Sequence, residues 1–154
     1  MRTLSKPSIF ASRPITMTVS MEGGSESCAL CMQTAALAQD MLNAVTSLHR
    51  LHLKVTGLGA YAAHKALNEG YDAFGDHADD LIEQYQGAEE KILELPNTAP
   101  TELNSVEEGL DYLRKMKDKI ESLQASMPHS EINNLLDEAK STINSVKYKL
   151  LFLK

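Results

Sequence analysis

Four stretches of this chain repeat apolar residues at intervals of three and four, the spacing of one face of a helix. In the first, Leu37, Met41, Val45, Leu48, His52 and Val55 share a stripe, with His52 as its polar member. The second, from about Ala60 to about Gln86, aligns Ala60, Ala63, Leu67, Tyr71, Phe74, Ala78, Leu81 and Tyr85. Gly70 and Gly75 lie inside it, each costing about 1 kcal/mol relative to alanine in a helix, so close packing is the expected compensation. A third stripe, Val106, Leu110, Leu113, Met116, Ile120, Leu123 and Met127, follows Ser105-Val106-Glu107-Glu108, which has the form of a capping box, and Pro128 closes it. Ser130 then opens a fourth, carrying Ile132, Leu135, Leu136, Ala139, Ile143, Val146 and Leu150. The pattern predicts four amphipathic helices and an all-α bundle.

The links between these helices are unequal. Gly87 to Asn104, with Pro96 and Pro100, is long enough to run the length of a bundle, whereas the other two links are short. One long crossover between helices 2 and 3 is the ferritin-like order rather than the up-down one. The predicted fold is therefore a ferritin-like four-helix bundle over residues 25–154, with Ala88 to Leu95 able to form a short extra helix in the crossover. Residues 1–24 read as a separate flexible tail, containing Pro7, Pro14, Gly23 and Gly24 and the basic Arg2, Lys6 and Arg13, with no acid before Glu22.

Chemistry concentrates between His52 and Glu83. His64, Asp79 and Glu83 follow His52 by 12, 27 and 31 residues, and the helical pattern breaks at Gly57-Leu58-Gly59. A helix ending near Thr56 and another starting near Ala60 would form an antiparallel hairpin, with His52 and His64 facing each other at equal distance from the bend. At ~100° per residue, His64, Asn68, Asp72, Asp79 and Glu83 fall within an arc of roughly 100° beside the apolar face. His64 and Asp79 are separated by about 22 Å of helix at ~1.5 Å per residue, so one chain cannot bring both to one metal ion. A two-fold axis that sets this helix antiparallel to its copy would do so, giving two equivalent sites per dimer.

The stretch His52-Leu53-Lys54-Val55-Thr56-Gly57, followed by His64, by Asp76-His77-Ala78-Asp79 and by Glu83, resembles the signature of the Dps proteins, or mini-ferritins. The motif covers about thirty residues, and the helix order extends the likeness over most of Cys28 to Lys154. The resemblance implies that His52 and His64 of one subunit, and Asp79 and Glu83 of its dimer mate, bind Fe(II) and oxidise it with hydrogen peroxide or dioxygen. It implies further that a hollow dodecamer stores the ferric product. Two positions depart from the pattern. The aspartate expected one turn after the second histidine is Asn68, a neutral amide in place of a hard anionic ligand. The tryptophan expected after the first histidine is Leu53, and the chain has no tryptophan, which leaves Tyr61 or Tyr71 as the aromatic group near the site.

Composition narrows the classes. A chain of 154 residues suits one domain with a sizeable core, and 5% aromatic content favours helix over sheet. The net charge of -6 argues against nucleic acid as a partner of the whole surface and suits a shell that attracts cations. No apolar run approaches the roughly 18 residues of a membrane span, so a cytoplasmic protein is expected. The tail admits three readings: a basic arm touching DNA phosphates, an organellar targeting peptide in residues 1–20, or a plain extension. Cys28 and Cys31 form one Cys-x-x-Cys without the further ligands of a zinc site or a thioredoxin-like context, and read as reduced thiols. His49 and His77 are expected half-exposed and His129 facing solvent.

Each candidate ligand also has a plainer reading. His52 alone is a core histidine, while His64, Asp79 and Glu83 alone are a solvated helix face. Two functions of different class follow. The first is a Dps-like mini-ferritin that oxidises Fe(II) at sites between subunits. The second is a non-catalytic ferritin-like structural or interaction module, which Asn68 and the apolar end Leu150-Leu151-Phe152-Leu153 favour.

Overall fold

The computed structural model describes residues 24–153. Among them are four helices and no strand: α1 (Gly24–His52), α2 (Ala60–Glu89), α3 (Val106–Gln124) and α4 (Ser130–Phe152). The basic tail lies outside the described residues, apart from Gly24, which begins α1.

The expected apolar stripes form the core. Leu48, Leu67, Phe74, Leu113, Ile120, Ile132 and Ile143 are all fully buried, and every helix contributes. Val45, Tyr71 and Val106 on those stripes are only partly covered. α1 stops at His52, not near Thr56 as its periodicity suggests. The reason is a tightened last turn, in which Lys54 N–H donates to the Leu51 carbonyl at 2.9 Å, followed by Gly57 and Gly59 at φ 87° and 76°. Those left-handed conformations suit glycine and reverse the chain. α2 continues past Gln86 to Glu89, where Glu90 takes the left-handed conformation and its N–H caps the Gln86 carbonyl.

No helix forms over Ala88 to Leu95 after Glu89. The chain instead runs without regular structure to Asn104. The Leu93 N–H donates to Gln86 Oε1 at 2.8 Å, its side chain is buried, and Pro96 disfavours a helical Leu95. Asn43 of α1 pins the middle of this strap by donating to the Thr98 carbonyl at 3.2 Å and to Thr98 Oγ1 at 2.9 Å. Lys54 holds its far end through Glu102, the Leu103 carbonyl and Asn104.

The strap carries the chain back along α1, so α3 starts beside the bend. Cross-links fix the directions: Gly109 meets Leu51, Lys119 pairs with Asp40 and Ser126 bonds Gln33, which sets α3 antiparallel to α1. His129 bonds Glu89, Thr142 bonds His77 and Val146 packs on Gly70, which sets α4 antiparallel to α2. α2 and α3 therefore run parallel on a diagonal, while α1 packs on α2 and α3, and α4 packs on the same two.

Close packing accounts for Gly70 but not for Gly75. A Cβ on Gly70 would sit 3.3 Å from Val146 Cγ2 and 3.5 Å from Leu48 Cδ1, whereas one on Gly75 would have only Val45 Cγ2 at 3.9 Å. Gly75 has no such compensation. On α3, a Cβ at Gly109 would lie 2.7 Å from Leu51 Cδ2, so Leu51 leaves no room there for a side chain unless it shifts.

The capping box at α3 is present in a shifted form. Ser105 Oγ accepts from the Glu108 N–H at 3.1 Å, but Glu108 Oε2 accepts from the N–H of Asn104 rather than of Ser105, at 2.7 Å. Ser105→Ala should lower the unfolding free energy by about 1 kcal/mol, within the usual range of ~0.5–2 for a lost cap. Urea denaturation would read it as a lower midpoint at unchanged slope, and an unchanged midpoint would refute the capping role.

Candidate metal site

The bend brings His52 and His64 together. His52 ends α1 with 7% of its surface exposed, and His64 lies in the second turn of α2, half-buried. Their rings stack with centroids 3.7 Å apart and planes 25° from parallel. Each ring is tied to the other residue's backbone: His52 Nδ1 donates to the His64 carbonyl at 2.9 Å, and His64 Nδ1 donates to the His52 carbonyl at 3.3 Å. A carbonyl oxygen only accepts, so both Nδ1 atoms carry hydrogen. In the neutral rings, both Nε2 atoms are then lone-pair donors. This is the arrangement of a metal-binding histidine whose other nitrogen is held by a backbone carbonyl.

Two neighbours complete the surroundings: Tyr71, one of the two aromatics considered for the site, and His49, which the sequence pattern treats as unrelated. Tyr71 meets His52 edge-on at 5.3 Å, and His49 stacks on Tyr71 at 4.4 Å, leaving His49 exposed on its outer side. The Tyr71 hydroxyl donates to Asn68 Oδ1 at 2.9 Å, and Asn68 Nδ2 donates to Asp72 Oδ2 at 2.6 Å. Helical periodicity sorts Tyr71 onto the core face, and only the i, i+3 relation of Asn68 and Tyr71 hints at their bond. Of the two tyrosines considered for the missing tryptophan, Tyr71 touches the histidine pair, while Tyr61 is 78% exposed.

Asp79 and Glu83 are exposed on α2 and remain far from the pair, because α2 is one unbroken helix between them. Among the described residues, no three His, Cys, Asp or Glu side chains converge to hold an ion within one chain. Asp72, Asp76, Asp79, Asp80 and Glu83 form no ion pair among the described residues and are exposed along α2, with Asp72 accepting from the Asn68 amide.

The remaining histidines are engaged structurally. His77 lies between α2 and α4 with Nε2 2.8 Å from Thr142 Oγ1, and burial holds its pKa below the usual value against the pull of Glu138, Asp80 and Asp76. His129 does not simply face solvent: its Nε2 lies 2.6 Å from Glu89 Oε1 and ties the α3–α4 turn to the end of α2. Cys31 is half-buried beside Tyr85, whose hydroxyl is pushed up to about 12 by burial and by the neighbouring Cys31 and Glu89. The side chain of Cys28 lies outside the described residues. No helix among the described residues is long and apolar enough to cross a membrane.

The class defined so far is an all-helical four-helix protein with one long strap and a histidine pair locked at the first bend. A family of unknown function, DUF5856, matches residues 52–150, from His52 of that pair to the buried Leu150 of α4. This span is well over half of the chain, and the protein belongs to that family. No curated protein and no solved structure matches it.

Proposed function

We propose that this protein is a Dps-like mini-ferritin with a ferritin-like bundle, which binds and oxidises Fe(II) at sites completed between two copies of the chain. The observation that carries the reading is the locked histidine pair, with both Nδ1 atoms on backbone carbonyls and both Nε2 atoms left as donors. The separation of Asp79 and Glu83 from that pair, with no partner of their own among the described residues, leaves them for the pair of a second copy set antiparallel along α2. Imidazole nitrogens suit Fe(II), and carboxylates favour the more highly charged Fe(III), so the mixed set promotes oxidation. Two Fe(II) give up one electron each, and with two protons these reduce one hydrogen peroxide to two waters. The diagonal placement of α2 and α3 by the strap adds support, since it is the helix order of ferritin-like bundles. Assembly beyond the dimer into a hollow dodecamer, and contact of the basic tail with DNA, belong to the same proposal.

Anaerobic Fe(II) titration, followed by peroxide with ferric absorbance monitored, tests it against His52→Ala/His64→Ala. Saturable binding and rapid oxidation in the wild type, both lost in the double variant, are expected. Identical behaviour of the two proteins would sink the reading.

A second reading, a non-catalytic interaction module, draws on one specific observation. Tyr148 and Phe152 lie side by side on the outside of α4, their ring centroids 5.5 Å apart and planes tilted by 46°, exposed by 56% and 68%, as a partner-facing aromatic pair would be. It predicts a protein that binds no iron.

A further inference from the structure

We propose that the end of the bundle at the Gly57 bend is a surface on which two copies of this chain join, the Leu58 side chain of each entering a groove of the other. This goes beyond the proposed function and does not depend on it. Leu58 stands at the tip of the bend between Gly57 and Gly59, both at positive φ, and is 96% exposed. A Cβ on Gly57 would have nothing within 4 Å, so the turn projects clear of the helices. The chain reversal requires the glycines but not an apolar residue between them, since residues at such tips are ordinarily polar and face water.

Beside Leu58, and partly walled by it, lies an open groove of about 450 Å³. Its apolar lining comes from all four helices and their flanks: Leu51, Val55, Ala63, Val106, Leu150 and Leu153. Thr56, Ser105 and Glu107 give it a polar margin. The patch thus carries both a knob and a hole, which makes it complementary to itself. A two-fold axis through it sets the knob of each copy in the hole of the other and removes both leucines from water.

Charge also selects a second copy as the occupant. Within residues 49–70, 102–109 and 146–153, which make up this end, five Lys or Arg stand against four Glu, whereas the remaining described side chains carry six Lys or Arg against fifteen Asp or Glu. Two copies can therefore meet here without setting excess acid against excess acid, which along the α2 ridge requires a cation between them. The tip is about 30 Å along α2 from Asp79 at ~1.5 Å per residue, so the contact leaves the ridge free.

Sedimentation velocity of the full chain in a chelating buffer is the test, with helical circular dichroism recorded for each variant. The wild type should sediment as a dimer. Leu58→Asp charges the knob, and Ala60→Glu charges the groove lining at the first residue of α2, where an acid favours the helix start, so both should fold as the wild type does. Each should raise the dimer dissociation constant about a hundredfold or more, because two insertions are lost per dimer. Asp79→Ala/Glu83→Ala should leave it unchanged. A wild type that stays monomeric at every concentration, or a folded Leu58→Asp that stays dimeric, would overturn the proposal. Dissociation by Leu58→Asp but not by Ala60→Glu would overturn insertion into this groove. A dimer lost only in the carboxylate variant would put the contact on the ridge and overturn the tip. No iron is present in this experiment, so its failure is separate from failure of the Fe(II) titration.

Discussion

A one-to-one mixture of His52→Ala/His64→Ala chains with Asp79→Ala/Glu83→Ala chains, refolded together, is expected to regain about a quarter of the wild-type capacity for Fe(II), although neither variant binds iron alone. The figure follows from symmetry. Random pairing makes half of the dimers mixed, and a mixed dimer has one intact site and one site stripped of all four ligands. Asp79 and Glu83 are exposed, so their removal should leave folding within about 0.5 kcal/mol of the wild type. His52 is buried and its ring bonds a carbonyl, so the histidine variant needs its helical content verified, with His64→Ala alone as the milder version. Recovery on mixing would place the carboxylates on the opposite chain from the histidines. If the carboxylate variant alone binds as the wild type does, or if two well-folded variants recover nothing together, the inter-copy site is wrong.

Phe74→Ala should have the largest effect on stability, a loss of about 3–5 kcal/mol, from the apolar transfer of a buried ring and the cavity it leaves. Phe74 has no exposed surface and meets His77 of the same helix edge-on at 6.2 Å. Against a typical total of roughly 5–15 kcal/mol for a domain, such a loss is a large fraction of the whole. Leu53→Ala is the matched control, because Leu53 is 71% exposed and its loss should change stability by no more than about 0.5 kcal/mol. Urea titration of the three proteins would decide it. A loss below about 1 kcal/mol at Phe74 would mean that its ring is not in the core as described.

The helices were legible because burial is written into periodicity. Leu113, Ile120, Ile132, Leu136 and Ile143 recur at helical intervals, and all are buried. Helix ends were less legible, since they depend on single hydrogen bonds and backbone angles. The tightened turn at Lys54 shortened α1, and the bond from Leu93 N–H to Gln86 Oε1 drew the chain out of a helix where Ala88 to Leu95 had room for one. For the candidate site, the spacing of His52 and His64 about Gly57 foretold that they meet. Their reciprocal carbonyl bonds, which decide which ring nitrogen is a donor to a metal, could not be read from spacing. The Tyr71–Asn68–Asp72 chain escaped for a related reason: the pattern assigns a residue to a face but does not say which atoms on that face touch.

By itself the sequence determined the four amphipathic helices, the bend at the glycines and the separation of His64 from Asp79 and Glu83 along one helix. These follow from local periodicity and the fixed rise of the helix, which need no knowledge of neighbours. The length of the link between helices 2 and 3 already foretold that α3 runs parallel to α2; the tertiary structure alone decided that the strap takes its path along α1, pinned through Asn43 and Thr98. It also decided the ring stack with its tautomers and the fixing of the Asn68 amide between Tyr71 and Asp72. Those features arise from contacts between surfaces and from hydrogen-bond direction, which depend on how the helices approach one another rather than on the order of residues within any one of them.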